Sequence, residues 1–222
     1  MRTQTIRVGL LEGKRQDPTT RILQAAKEVF LREGAAKFSS RAVAKEINIR
    51  LSSVQHFFPT TNELLVAMIR FVDGLHMEIY QSMEAKLPLN AVDRLRAVIA
   101  YLLEDLFKAD TMRFYYGVWA LSLQHKEVAL FLEQAYAQHR NTLAVLIGAA
   151  RPSLSESRCR DLALHIAATI EGLMVFIPPT GMRPNKRDEF VRTAKATIWT
   201  LLSVDSAPPT DDEHRDVKNI TS

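Results

Sequence analysis

Side chains able to pair with base edges lie close together between Arg50 and His56. The primary amide of Gln55 can donate to and accept from an adenine at once, and the guanidinium of Arg50 suits a guanine or a phosphate. Leu51 offers an apolar surface that fits the methyl group of thymine. The alternative for each is an ordinary solvent-exposed side chain, but together these residue types favour a DNA contact.

The residue types that enzymes use are present without the spacings that catalysis needs. The sequence contains no Gly-rich phosphate loop, no nucleophile elbow and no HExxH motif, and its six histidines lack metal-ligand spacing. We therefore expect no enzyme activity, no catalytic residue, no metal site and no cofactor. The single cysteine, Cys159, lies between Arg158 and Arg160, which would suit a redox sensor; an inert surface cysteine is the alternative.

Two short helices and a turn must hold the base-pairing side chains. Ser39 is a suitable N-cap for the first helix, and Asn48 tolerates the positive φ that a tight turn requires. The second helix is predicted over Leu51–Phe57, because Pro59 disfavours helix in the residue before it. This arrangement is a helix-turn-helix, whose second helix enters the major groove of DNA.

Helical patterns continue on both sides of this segment. Gly34 is a suitable C-cap for a first helix that begins at residues 17 and 18, an Asp-Pro pair. Thr60 and Glu63 form a capping box, which starts a long helix predicted over 61–86. The remaining apolar periodicity predicts helices over 91–108, 111–123, 127–149, 156–177 and 185–203. The sequence therefore predicts an all-α protein.

Charge is unevenly distributed along the chain. Residues 1–60 contain 11 Lys or Arg and 5 Asp or Glu, a net charge of +6, whereas residues 61–222 contain 18 and 20, a net charge of −2. The basic part coincides with the predicted helix-turn-helix, as binding to phosphates requires. The N-terminus has no secretory signal, and no segment has the apolar run of a membrane helix, so we expect a cytoplasmic protein with no membrane partner.

The segment from Ile22 to Leu65 resembles the N-terminal domain of the TetR family of transcriptional repressors. The resemblance lies in the pattern ILxAAxxxF from residue 22, in Gly34, in Ile47 before the turn, and in HFFP and ELL at residues 56–59 and 63–65. It implies an all-α fold with an N-terminal helix-turn-helix domain and a C-terminal domain that dimerises and holds a ligand. The predicted divisions are a flexible basic arm at 1–16, the helix-turn-helix domain at 17–62, the ligand-binding and dimerisation domain at 63–204, and a disordered tail at 205–222.

The resemblance also implies a function. It predicts a homodimeric repressor that a small-molecule effector releases from a pseudo-palindromic operator in double-stranded DNA. Some positions depart from the family pattern, since Asn48 replaces the turn glycine and Gln55 an aromatic residue. The alternative is therefore a helical protein-interaction module of the same fold with lost or weakened DNA binding. The residues predicted to contact DNA are Ser40, Arg41, Arg50, Leu51, Ser52, Ser53, Gln55, His56, Thr60 and Thr61.

Four aromatic side chains lie between Phe114 and Trp119, and this unusually aromatic helix predicts a ligand pocket in the second domain. Glu171 is the only acid in the apolar run from Ile166 to Ile177, and a buried carboxylate beside aromatic rings would suit a cationic ligand. A salt bridge to an arginine across the dimer interface is the alternative. The run HIAATIEGLMVFI from His165 loosely resembles regulators of choline and pyrimidine metabolism. The predicted ligand-binding residues are Met112, Tyr115, Trp119, Phe131, Tyr136, His139, Glu171 and Met174.

The last two predicted helices each carry an apolar stripe that contains small residues. Pairing of these helices with their copies would form a four-helix dimer interface, as the family resemblance implies. An ordinary intramolecular core is the alternative. The predicted interface residues are Ala163, Ile166, Ala167, Ile170, Met174, Ala194, Ile198 and Leu201.

Overall fold

The computed structural model describes residues 17–86, 90–178 and 181–203, and within these ranges the chain is helical, with no β-strand. The predicted all-α fold is confirmed. The predicted arm at 1–16 and tail at 205–222 lie outside the described residues. A short 3-10 turn, Ala35–Lys37, separates the first two α-helices. The α-helices are α1 Pro18–Glu33, α2 Ser40–Glu46, α3 Leu51–Phe57, α4 Thr61–Lys86, α5 Ala91–Asp105, α6 Ala109–Ser122, α7 Lys126–Ala150, α8 Glu156–Met174 and α9 Pro184–Ser203.

Local side-chain chemistry sets the helix boundaries around the turn. The Ser39 hydroxyl accepts from the Ala42 N–H at 3.2 Å, and Asn48 adopts φ 53° in the turn that follows α2. Thr60 and Glu63 form the predicted reciprocal cap, with distances of 3.1 and 3.2 Å. These three predictions are confirmed, because each rests on residues close together in sequence.

Three helix ends differ from the predicted ones by two residues or more. Helix α5 ends at Asp105 rather than residue 108, and Asp110 lies within the first turn of α6 instead of capping it. The Asp105 carboxylate accepts from Thr111 Oγ1 at 3.0 Å and pairs with Lys108 Nζ at 2.6 Å, which stabilises the turn between α5 and α6. Helix α8 ends at Met174 rather than Ile177, because the chain tightens into i→i−3 hydrogen bonds before Pro178.

The helices pack around two clusters of buried apolar side chains. The first joins α1–α4 to parts of α6 and α7, and it continues along α4 as far as Val72. The second joins α5, α7, α8 and α9. Among the described residues, no helix is long and apolar enough to cross a membrane.

Helix α6 lies directly against α1. The Phe30 and Phe114 rings meet edge to face, with centroids 6.0 Å apart. Gly117 permits this approach, since a Cβ at that position would lie only 2.7 Å from the Phe30 ring. Rings packed in this way contribute about 0.5–1.5 kcal/mol beyond their buried area. The helix-turn-helix is thus in direct contact with α6 as well as with α4.

Candidate functional site

Helix α3 presents a polar face without Lys or Arg to solvent. Val54 is fully buried, which orients the helix and contributes about 1.5–3 kcal/mol through burial of its side chain. The opposite side exposes polar side chains, and Arg50 is exposed immediately before the helix, while Leu51 is half-buried. The exposed polar residues on the helix are Ser52, Ser53, Gln55 and His56. The structure therefore brings these predicted DNA-contacting residues onto one accessible surface.

Two residues predicted to contact DNA bond to each other instead. Ser40 is buried, and its hydroxyl lies 3.0 Å from Thr61 Oγ1. The predicted DNA contact of the Ser40 side chain is therefore wrong, since its hydroxyl is used inside the protein. Thr61 remains exposed, but its Oγ1 is engaged by Ser40. This pair ties the start of α2 to the start of α4.

A basic rim lies beside the recognition surface. Lys37, Arg41 and Lys45 are exposed around a cleft of about 590 Å³ between the end of α1 and α2. Arg32 closes one side of the cleft through a two-point ion pair with Glu46, at 3.1 and 2.7 Å. Arg41 is one of the predicted DNA-contacting residues, whereas Lys37 and Lys45 on the same rim are not among them. The positive charge of residues 1–60 was the signal that could have found them.

A small cavity of about 130 Å³ lies among α4, α5, α6, α7 and α8. Six of the eight predicted ligand-binding residues line it: Tyr115, Phe131, Tyr136, His139, Glu171 and Met174. The other two do not. Met112 is buried in the second core, and Trp119 lies behind Tyr136, with its Nε1–H donating to the Tyr136 hydroxyl at 2.7 Å. The side chains of Met112 and Trp119 point inward, as the apolar periodicity predicts, but they contact packing partners rather than the cavity.

Glu171 presents an unsatisfied carboxylate oxygen in this cavity. Its Oε2 atom is buried and has no hydrogen-bond partner among the described residues. The alternative of a salt bridge to an arginine across the dimer interface stays open, because it needs a second copy of the chain. Burial raises the pKa of Glu171 to about 7, against the lowering effect of a hydrogen bond from Tyr136. Trp119 in turn fixes the Tyr136 hydroxyl. A buried acceptor without a partner is costly, and a positively charged ligand would satisfy it.

The opposite wall of the cavity carries polar residues that the sequence did not reveal. Asp73 and His76 come from α4 and Asp105 from the end of α5. Burial raises the pKa of Asp73 and lowers that of His76, whose Nδ1 lies 3.3 Å from the Tyr115 hydroxyl. Asp105 is already paired with Lys108, so Asp73 and Glu171 are the acids left to balance a ligand charge. They share the cavity wall with His76 and His139, two histidines whose burial favours the neutral form. This charge balance favours a cation over an anion.

The stripes predicted as a dimer interface face the interior of the single chain. Seven of the eight residues are buried in the second core, and only Leu201 keeps substantial accessible surface. The prediction that these seven residues contact a second copy is wrong, because the packing of α8 and α9 on α5 and α7 already buries them. The seven are Ala163, Ile166, Ala167, Ile170, Met174, Ala194 and Ile198. Cys159 is also buried there, so it is neither a surface cysteine nor an accessible redox sensor.

The opposite faces of α8 and α9 are exposed and carry small or apolar side chains. On α8 and just after it, Leu164 is 51% and Val175 66% exposed. Ala168 and Gly172 lie between them on the same face. The exposed face of α9 carries Thr193, Ala196, Thr197 and Thr200.

Two protein-family models match the chain. Residues 22–68 match the family of bacterial regulatory proteins named after TetR, and residues 91–203 match the C-terminal domain of BetI-type transcriptional repressors. The chain belongs to the TetR family. It is a DNA-binding transcriptional regulator; regulators of this family bind operators as homodimers and are generally not enzymes.

Similar proteins agree with this assignment to the TetR family. An uncharacterized HTH-type transcriptional regulator in the dhlA 5′ region of Xanthobacter autotrophicus is 27% identical over 168 residues, 73% of this chain and 80% of that protein. A putative regulator from Saccharomonospora viridis, solved in complex with choline, has a TM-score of 0.68 at 21% identity and covers 82% of this chain and 95% of its own. A putative transcriptional regulator from Pseudomonas aeruginosa PAO1 has a TM-score of 0.69 at 16% identity. The match covers 85% of this chain and 93% of that protein. At these identities, the likeness to the two structures concerns the fold.

Proposed function

We propose that this TetR-family regulator is a repressor that a small organic cation releases from a pseudo-palindromic operator. The observation that carries the proposal is the buried, unpartnered Oε2 atom of Glu171 in a cavity lined by aromatic and acidic side chains. A cation there would pair with the carboxylate and lie against ring faces such as those of Tyr115 and Phe131. The cavity volume of about 130 Å³ limits the effector to a small molecule.

A choline-like quaternary ammonium compound is the effector class that fits best. The match to BetI-type repressors and the choline complex of the Saccharomonospora viridis relative support it. A quaternary ammonium group cannot donate conventional hydrogen bonds, so its recognition relies on charge and ring faces. The cavity supplies both, with Glu171 and Asp73 as acids and Tyr115 and Phe131 as rings. Arg70 lies over one face of the Phe131 ring, and Lys108 lies over the ring of Tyr101.

We further propose that two copies pair through the exposed faces of α8 and α9. Burial of Leu164 and Val175 against the small residues of α9 in the partner would remove apolar surface from water. The proposed dimer then holds two α3 helices, which read a pseudo-palindrome. The same proposal includes a cytoplasmic location, no enzymatic activity and the predicted division into a helix-turn-helix domain at 17–62 and a ligand-binding and dimerisation domain at 63–204.

Helix α4 supports a route from the cavity to the DNA surface. Asp73 and His76 lie on α4 at the cavity, and Thr61 at its start bonds to Ser40 of α2. A ligand between α4 and α8 that favours one position of α4 would therefore move the helix-turn-helix. The ligand must bind the two arrangements with different affinity, and operator DNA must then weaken ligand binding by the same factor.

The charge of the effector is tested with an isosteric pair. Choline and its neutral carbon analogue 3,3-dimethyl-1-butanol have nearly the same shape, so titration calorimetry of both isolates the charge. We expect choline to bind at least roughly tenfold more tightly, since a buried ion pair replaces an unsatisfied carboxylate. In Glu171→Gln, a side chain of the same size, the difference between the two ligands should shrink. Equal affinities in the wild type would contradict a cationic effector of this shape.

The repressor function is tested with the protein's own upstream DNA in a gel-shift assay. We expect a retarded complex that disappears as choline is added. No retardation by any upstream fragment would instead favour the protein-interaction module, which the departures from the family pattern in α3 first suggested.

A further inference from the structure

The last residue of α3 exposes an aromatic ring that the fold does not use. Phe57 is 41% exposed. A single exposed apolar side chain is ordinary on a protein surface, so it is the position of Phe57 on α3 that makes it informative. Its neighbour Phe58 is half-buried and packs against the first core, whereas Phe57 does not belong to either core cluster. The His56 ring meets it edge to face at 5.1 Å. This contact leaves the outer part of the Phe57 ring accessible.

The helix geometry directs Phe57 to the same surface as the residues expected to meet DNA. Ser53 and Phe57 are four residues apart, so they are neighbours on the helix surface. Val54 faces inward, and the short side chains of Ser52 and Ser53 permit a close approach of the helix backbone to a partner. Phe57 therefore projects further than the serine beside it.

The surroundings of Phe57 select DNA as its partner. Arg41, Lys45 and Arg50 are exposed on the same part of the molecule and suit phosphates. Within Leu51–Phe57 itself there is no Lys or Arg, so apolar contacts can contribute to base reading by this helix alongside those of its polar side chains. The apolar group that a major groove offers is the 5-methyl of thymine.

We propose that Phe57 contacts a thymine methyl group in the operator and makes it a determinant of sequence specificity. The proposal rests on the DNA-binding function proposed above. Gln55, two residues earlier, projects from another side of the helix and suits an adenine at a neighbouring base pair. The half-site read by α3 is then rich in A·T pairs, and its recognition depends on a methyl group rather than on charge.

Replacement of thymine by uracil tests the proposal, because it removes only the methyl group. A duplex is first enriched from a random library with the full-length wild-type protein and then resynthesised with deoxyuridine at one thymine at a time. We expect at least one position in each half-site where uracil weakens binding about fourfold, the effect of one lost buried methyl group. The measurement is the dissociation constant by fluorescence anisotropy.

The variant Phe57→Ala assigns that methyl group to this side chain. It should bind the thymine duplex more weakly than the wild type and show no further loss at the sensitive position with uracil. Equal losses on uracil substitution in both proteins, or unchanged affinity of Phe57→Ala, overturn the proposal. Choline titration and circular dichroism serve as folding controls. Failure to enrich any duplex overturns DNA binding itself, whereas an enriched duplex indifferent to uracil overturns this proposal alone.

Discussion

The surface around α3 and the cavity among α4–α8 are opposite in charge and in exposure. The surface carries exposed cations, among them Arg41 and Arg50, whereas the cavity wall carries the partly buried acids Asp73 and Glu171. An organic cation is therefore repelled from the first region and attracted to the second. The proposed effector would therefore bind in the cavity, and its effect on DNA binding would pass through the helices that join the two regions.

This comparison implies that each region can be broken without loss of the other. Variants at the DNA surface should keep the affinity for a cation, and variants in the cavity should keep the affinity for DNA. Variants between the two should change mainly the coupling. The predictions that follow run from the largest expected effect to the smallest.

Loss of the proposed dimer should abolish tight operator binding and leave the cavity intact. In Leu164→Glu combined with Ala196→Glu, four carboxylates would meet across the interface, so we expect a monomer of 25.1 kDa by light scattering. Choline affinity should be unchanged. Leu123→Glu, at a residue that is 88% exposed in the turn before α7, is the matched control and should remain dimeric. A dimeric mass for the double variant would contradict the proposed interface.

Removal of two surface cations should weaken DNA binding and spare the cavity. For Arg41→Ala combined with Arg50→Ala we expect operator affinity to fall roughly 30-fold or more, since each lost contact costs about 1–3 kcal/mol. The slope of log affinity against log salt should become shallower by about two, one for each phosphate contact. Salt-dependent anisotropy measures both quantities. An unchanged slope would mean that neither arginine contacts a phosphate.

The affinity for choline should depend on pH around neutrality. Burial raises the pKa of Glu171 from its ordinary 4.5 to about 7, and a cation favours the ionised form. Affinity should therefore fall as the pH falls, about tenfold between pH 8 and pH 6. Any protonation of the facing His76 and His139, whose pKa values burial lowers, adds repulsion in the same direction. Glu171→Gln should flatten most of this profile; an equally steep profile in the variant would assign it to the histidines.

The same shift predicts how stability without ligand depends on pH. Between about 4.5 and 7 the native protein keeps the Glu171 proton that the unfolded chain has lost. The contribution of this residue to the free energy of unfolding therefore declines as the pH rises through that window. Urea denaturation of wild type and Glu171→Gln at several pH values would isolate the contribution of Glu171 to the free energy of unfolding. A contribution that increases with pH would contradict a raised pKa for Glu171.

The smallest effect is expected at the bond between Ser40 and Thr61. Ser40→Ala and Thr61→Ala should each cost about 0.5–1.5 kcal/mol in the free energy of unfolding, the net value of one hydrogen bond. The double variant should cost little more than either single one, because both remove the same bond. Choline should also release DNA less effectively from these variants, since α4 is less firmly tied to α2. Additive costs would show that the two hydroxyls act independently.

The DNA surface was largely predictable from the sequence, and the cavity was predictable only in part. Caps such as Ser39 and Thr60 act over three residues, and α3 begins and ends at the predicted residues. The burial of Ser40 was missed because its partner is 21 positions away. Local rules contain no information about contacts over that distance.

The cavity shows what apolar periodicity leaves out. Periodicity placed Glu171 and Tyr136 on inward-facing positions, but it could not separate residues that face a void, such as Tyr115, from residues that fill one, such as Met112. It also led to the wrong faces of α8 and α9, because a stripe that packs on the same chain and one that packs on a partner have the same spacing. The exposed stripe of α8, which contains Leu164 and Gly172, is less apolar and gave the weaker signal.

The close approach of Phe30 to Gly117 has a consequence for how relatives of this protein can diverge. A methyl group at position 117 would fall 2.7 Å from the ring, so either α6 withdraws from α1 or the ring gives way. Residues 30 and 117 are therefore expected to change together in a lineage, with any gain of volume at one matched by a loss at the other. In a chimera that takes α1 from one relative and α6 from another, a clash between residues 30 and 117 would disturb the packing of the two helices. This would happen whatever DNA sequence or effector the two relatives recognise.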